Sequence, residues 1–139
     1  MITKDELDAA LWKYPVILLD KKESRPNTYQ IRIPIYYGDG DAISIYAEVM
    51  PDDVIRVCDF GMTYMRLSFS AIEPPQALVD RLRRTNGIND NNGNLYIDTD
   101  AKGLATAILA IAKIIIETMV MADIYRSFKE THKIWEIDV

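Results

Sequence analysis

From Tyr29 to Gly61 the chain alternates apolar and polar residues with the period of extended backbone, and this constrains its fold more than any other stretch. Tyr29, Ile31, Ile33, Ile35 and Tyr37 share one side of such a chain, with Gln30, Arg32, Pro34 and Tyr36 on the other, the pattern of a half-buried strand. Gly38-Asp39-Gly40-Asp41 then turns the chain. A second strand alternates Ile43, Ile45, Ala47 and Val49 against Ser44, Tyr46 and Glu48. Pro51-Asp52-Asp53 supplies the next turn, and Val54 to Cys58 closes a meander that ends in Asp59-Phe60-Gly61. Proline has no amide hydrogen to give to a ladder, so Pro34 predicts that the first strand lies at a sheet edge or carries a local bulge.

Helical periodicity brackets this meander. Thr3 and Glu6 have the spacing of a capping box and predict a helix to about Lys13, which Pro15 ends. Val16 to Leu19 is a short apolar run, and Lys21 to Asn27 reads as a loop around Pro26. After Gly61, Met62, Met65 and Phe69 fall at helical spacing. Pro75 opens a further helix at its first position, with Leu78, Val79 and Leu82 facing inward and Asn86-Gly87 closing it. Asn92-Gly93 is a hairpin signal that sets Asp90 opposite Leu95 and Ile88 opposite Ile97. Thr99-Asp100 caps a long helix running to about Phe128, with Leu104, Ile108, Ile111, Ile115 and Met119 along one face. A second set, Leu109, Ile116, Val120 and Ile124, leaves little of its surface polar. The tail, with Trp135 and Ile137, reads as a last short strand or as an arm that reaches a partner. The prediction is one α+β domain over residues 1–139, an antiparallel β meander of about four to six strands with helices packed on one face and the long C-terminal helix as main cover.

Composition narrows function. The chain has 139 residues, 49% of them hydrophobic, enough for one core. Its 21 Asp and Glu exceed its 16 Lys and Arg, and a net charge of -5 argues against wrapping a nucleic-acid backbone while suiting a protein partner with a basic surface. A lone cysteine, Cys58, makes no internal disulfide and fits a reducing cytoplasm. The first residues lack the charged and apolar regions of a signal peptide. Leu104 to Ala122 is nearly all apolar, but Lys113 and Glu117 interrupt it at a spacing where they pair, which predicts a buried helix of a soluble protein and no membrane span.

The run Ile33-Pro34-Ile35-Tyr36-Tyr37-Gly38-Asp39-Gly40-Asp41-Ala42-Ile43-Ser44-Ile45-Tyr46, followed by Ile55-Arg56-Val57-Cys58-Asp59-Phe60-Gly61, resembles the prokaryotic and phage family catalogued as domain of unknown function eighteen-twenty-eight. In that family a Thr-Pro strand, a Gly-Asp turn, a second strand and an Asp-Asp-Gly motif recur in this order. Here Ile33 stands in place of the Thr and Phe60 in place of the second Asp. The likeness covers Tyr29 to Ala122 and makes Pro34, Asp59 and Gly61 its motif residues. It implies an α+β domain frequent in bacterial and phage genomes and carries over no activity.

No residue set makes a catalytic signature. Asp59-Phe60-Gly61 looks like the magnesium-binding motif of protein kinases, but a Gly-rich phosphate loop and a His-Arg-Asp loop are both missing. Asp59 is instead expected to accept amide hydrogens at the start of the next helix, with loss of this cap costing about 1 kcal/mol. Asp90, Asn92 and Asn94 match the start of a calcium loop, and then Leu95 and Ala101 occupy the positions that need Gly and Glu. The only histidine, His132, lies in the tail, so neither a Cys58 nucleophile with a base nor a zinc site is credible, and no cofactor or metal is predicted. Arg81, Arg83 and Arg84 end a helix, where cations complement its dipole.

The leading functional expectation is a non-enzymatic protein-interaction module of bacterial, phage or mobile-element origin. It would be a homodimer through Leu109, Ile116, Val120 and Trp135. Asp39, Asp41, Asp52 and Asp53 on its turns would face a basic partner, as an inhibitor of a nucleic-acid-handling defence enzyme would require. The alternative is a divalent-metal hydrolase of nuclease type using Asp52, Asp59 and Asp100, with Lys102 beside it.

Overall fold

The computed structural model describes the backbone of residues 1–69 and 73–136, with side chains as far as Thr131. Six strands form one antiparallel sheet. They are β1 (Leu18–Lys21), β2 (Thr28–Arg32), β3 (Ile45–Val49), β4 (Ile55–Cys58), β5 (Asn89–Asn91) and β6 (Asn94–Thr99), in the spatial order β1-β2-β3-β4-β6-β5. The helices are α1 (Lys4–Ala10), α2 (Met62–Ser68), α3 (Gln76–Thr85) and α4 (Leu104–Glu136), with a 3-10 turn at Pro51–Asp53. This is the α+β meander with a long C-terminal helix that the alternation implied.

The sheet's inner face is made by Ile31, Ile45, Ala47, Val49, Ile55, Val57 and Leu95, all buried. Helix α4 lies across β6, β4 and β3 and fills that face with Leu104, Ile108, Ile111 and Ile115, none of which retains any exposed surface. Burying side chains of this size is worth ~2 kcal/mol each, so this seam is the main source of stability. Helices α1, α2 and α3 each pack on α4. The capping box at Thr3 is complete: its hydroxyl accepts the Glu6 amide and the Glu6 carboxylate accepts the Thr3 amide.

The first strand is shorter than its alternation suggests. Pairing stops at Arg32, and the Ile35 amide donates to the Ile33 carbonyl at 2.8 Å, folding the chain into a three-residue turn around Pro34. Strand β2 lies between β1 and β3, so Pro34 does not mark a sheet edge; it marks the point where the chain leaves the ladder. Beyond it, Tyr36 and Ala42 form an isolated bridge.

Helix α2 forms where Met62, Met65 and Phe69 indicated, but it presents a different face. Thr63 and Leu67 are buried, while Met65 and Phe69 are exposed, because the backbone enters the helix from a left-handed Gly61 that turns Thr63 inward. Pro75 is the N-cap of α3 and not its first residue, and Leu78 is exposed where Val79 is buried. Asp90 does pair with Leu95. Asn92 and Gly93 take φ of 52° and 88°, the pair of left-handed positions that a two-residue hairpin loop demands.

As far as it is described, the tail is helix and not strand: α4 continues to Glu136, eight residues beyond Phe128. The His132 and Trp135 side chains and residue Ile137 lie outside the described residues.

Candidate functional site

Three regions carry the residues that the sequence singled out. The Asp59 turn sits where β4 ends and α2 begins. Asp59 is fully buried, and main-chain amides take up its carboxylate: Gly61 and Leu95 donate to Oδ1 at 2.9 and 3.0 Å, and Thr63 donates to Oδ2 at 3.0 Å. Its own amide donates to the Leu95 carbonyl at 3.1 Å. The side chain therefore caps α2 and at the same time ties that cap to β6. Asn94 completes the arrangement by accepting the Phe60 amide at 2.9 Å. Phe60 itself has φ of 51°, a conformation that a bulky residue adopts only under constraint, and its ring packs 4.8 Å from Tyr46 beneath the Arg25 guanidinium.

The acidic turns are of two kinds. At Gly38–Asp41, both carboxylates are bound within the chain: Arg66 on α2 donates to Asp39 at 2.9 Å and to Asp41 at 3.1 Å, with its guanidinium 3.5 Å from the Tyr37 ring centre. The Arg66 hydrogen bond holds the Asp39 carboxyl below its usual range. Asp52 and Asp53, by contrast, are exposed on a turn in which both have left-handed φ, 63° and 58°.

The structure does not gather Asp52, Asp59 and Asp100 into one site. Asp59 is enclosed by amides, and Asp100 accepts the Gly103 amide at 2.9 Å, where it caps the turn leading into α4. Among the described residues no group of three or more His, Cys, Asp or Glu side chains is arranged to hold a metal. Cys58 is buried between its cross-strand neighbours Tyr46 and Tyr96, and burial pushes its thiol up to about 12, far from a nucleophile's range.

The outer face of the sheet holds a feature that the sequence reading passed over. Arg56 forks onto Asp98 at 2.8 and 2.9 Å while lying 4.0 Å from the Tyr96 ring centre, and Lys22 sits 5.4 Å over Tyr46. The signal was present as aromatic residues in the polar phase of β3 and β6.

The outer face of α4 is the third region. Leu109, Val120, Ile124 and Phe128 expose 47%, 51%, 65% and 51% of their surface, and Ile116 is half-buried between them. With Leu82 of α3, the residues Ile116, Val120, Met121 and Ile124 line an apolar groove. Lys113 and Glu117 border it as an ion pair at 3.5 Å, and Glu117 also accepts from Asn86 at 3.1 Å. Ala122 is the last buried position of α4 among the described residues, so the helix runs on past the body of the domain.

A family model described as domain of unknown function DUF1828 matches residues 33–117, more than half of the chain. The chain belongs to this family. No curated protein and no solved structure matches it. The DUF1828 region opens at the Pro34 turn, includes the Gly38–Asp41 and Asp59 turns, and closes on the docked half of α4. Leu109 and Ile116 fall inside it; Val120, Ile124 and Phe128 lie beyond its end.

Proposed function

We propose that this DUF1828 protein is a non-enzymatic protein-interaction module that pairs with a second copy of itself through the outer face of α4. The observation that carries the reading is the exposed apolar row Leu109, Val120, Ile124 and Phe128 on a helix whose opposite face is already filled. A row of this kind usually marks an interface, and a two-fold pair covers it with one patch. By length and composition Leu104–Thr131 would also cross a membrane. Against that reading, Leu104, Ile108, Ile111 and Ile115 roof the sheet, and withdrawing them would uncover the whole core.

To this we add a cytoplasmic location, which the lone Cys58 supports, and a bacterial, phage or mobile-element origin. A partner with a basic surface, such as a nucleic-acid-handling defence enzyme, would meet the exposed Asp52 and Asp53, since Asp39 and Asp41 are engaged by Arg66.

Light scattering at micromolar concentration tests the pairing. The expected mass is about twice 15.9 kDa, falling to 15.9 kDa when Val120→Lys and Ile124→Lys are combined. A monomeric mass for the unaltered chain, with the double substitution changing neither mass nor solubility, overturns it.

A further inference from the structure

We infer that the surface which meets a second copy is made by two helices, with Leu78 and Leu82 of α3 joining the α4 row. This rests on the homodimer reading and extends its interface to α3.

Area sets the need. Leu109, Val120, Ile124 and Phe128 are each about half exposed, and together they offer roughly 400 Å², whereas a stable pair draws about 800 Å² from each copy. The α4 row is therefore only part of an interface, and the rest has to adjoin it.

Helix α3 lies where that part is wanted. It runs against the direction of α4: Asn86, just after its last residue, donates to Glu117 at 3.1 Å, while the earlier Val79 is buried in one cluster with Ala122. One flank of α3 is taken up by α2, since Gln76 donates to the Tyr64 hydroxyl at 3.2 Å and to Asp80 at 3.0 Å. Leu78 and Leu82 each stand two residues further on, which on a helix is nearly the opposite flank, and they are neighbours at a spacing of four. Leu82 is the α3 wall of the apolar groove that Ile116, Val120 and Ile124 complete. Leu78, one turn nearer the start of α3, prolongs that wall in the direction of the later residues of α4.

Exposure marks Leu78 as the added contact. Its spacing is that of a buried position, yet it is 41% exposed, and it is the one large apolar side chain that α3 leaves open to water. The helix otherwise exposes Gln76, Ala77, Arg81, Arg84 and Thr85. With Leu82 and Ile116 partly exposed beside it, and with Arg81, Lys113 and Glu117 as a polar rim, the two-helix surface is roughly twice the α4 row and reaches the size a stable pair requires. A second copy returns the same patch, so the pair covers both rows at once.

The test is light scattering of the full chain over a dilution series, which reads the dissociation constant of the pair. Leu78→Glu places an acid in the first turn of α3, where it complements the helix dipole, so the fold itself is spared. If its urea midpoint nevertheless falls, Leu78→Gln takes its place with the same expectation. The dissociation constant is expected to rise by about tenfold or more. Val16→Glu, at an exposed apolar residue just ahead of the edge strand β1, is expected to leave it unchanged. A dimer that the combined Val120→Lys and Ile124→Lys dissociates, but that Leu78→Glu and Leu78→Gln leave intact, overturns the part assigned to α3 and leaves the α4 pairing standing. A dimer weakened as much by Val16→Glu also overturns the two-helix surface, and a monomeric mass for the unaltered chain overturns both readings.

Discussion

Two turns of this protein combine aspartate with glycine and end in opposite situations. Gly38–Asp41 follows the isolated bridge at Tyr36, and Asp59–Gly61 follows β4. In the second, the carboxylate is enclosed and three main-chain amides donate to it. In the first, two exposed carboxylates share one guanidinium, that of Arg66. Composition is blind to this difference, and position decides it. Asp59 follows a central strand and points under α2, where a carboxylate persists only if amides replace its water. Asp39 and Asp41 lie at the surface, where water serves and the arginine adds a modest attraction. An aspartate count therefore overstates how much acidic surface the molecule offers a partner.

The largest effect expected from breaking this comparison is at Asp59. The cost of removing it is not the ~1 kcal/mol of an ordinary cap, because Asp59→Ala leaves three amides without an acceptor in a buried site. A loss of about 3 kcal/mol or more is expected in urea unfolding, with Asp59→Asn intermediate because one oxygen still accepts. A loss near 1 kcal/mol would show that water reaches the site.

Next comes Gly61, the N-cap of α2 at φ of 80°. A β-carbon there would meet nothing closer than the Gly93 carbonyl oxygen at 3.7 Å, so space is available and only backbone conformation is at stake. Gly61→Ala is expected to cost about 1 kcal/mol. An unchanged urea midpoint would mean that the turn relaxes into a conformation alanine tolerates.

Much of this architecture was legible in the sequence because its signals are local. The period-two runs became β3 and β4, Thr3 and Glu6 closed their capping box, and Asn92-Gly93 set the hairpin register. The failures came where tertiary contact overrides local pattern. Ile33 and Ile35 continue the alternation of β2, yet Pro34 takes the chain out of the ladder. Met65 and Phe69 have core-like spacing, yet the entry from Gly61 rotates them to solvent. For the site, the outer row of α4 was readable from Leu109, Ile116 and Val120, because a helix with two apolar faces has one more than its own sheet covers. The link from Asp39 and Asp41 to Arg66 was not, since residues 25 or more positions apart declare no pairing until the fold brings α2 beside the turn.

That link gives the smallest expected effect and the finest test of the comparison. Arg66 holds the Asp39 carboxyl below its ordinary value of 3.8 through their hydrogen bond. A carboxyl whose pKa is lower in the folded than in the unfolded chain adds stability above the unfolded value, and the contribution disappears as pH falls through the folded one. Arg66→Ala should therefore raise the Asp39 pKa, followed by NMR titration of its side chain. The stability difference between the two proteins should be constant above about pH 5 and shrink below pH 4 as the carboxyl protonates. Because the pair is exposed, added salt should reduce the same difference. An Asp39 titration that Arg66→Ala leaves unmoved would mean that solvent screens the pair completely. The Gly38–Asp41 turn would then present its two charges freely, and it would rejoin Asp52 and Asp53 as surface for a basic partner.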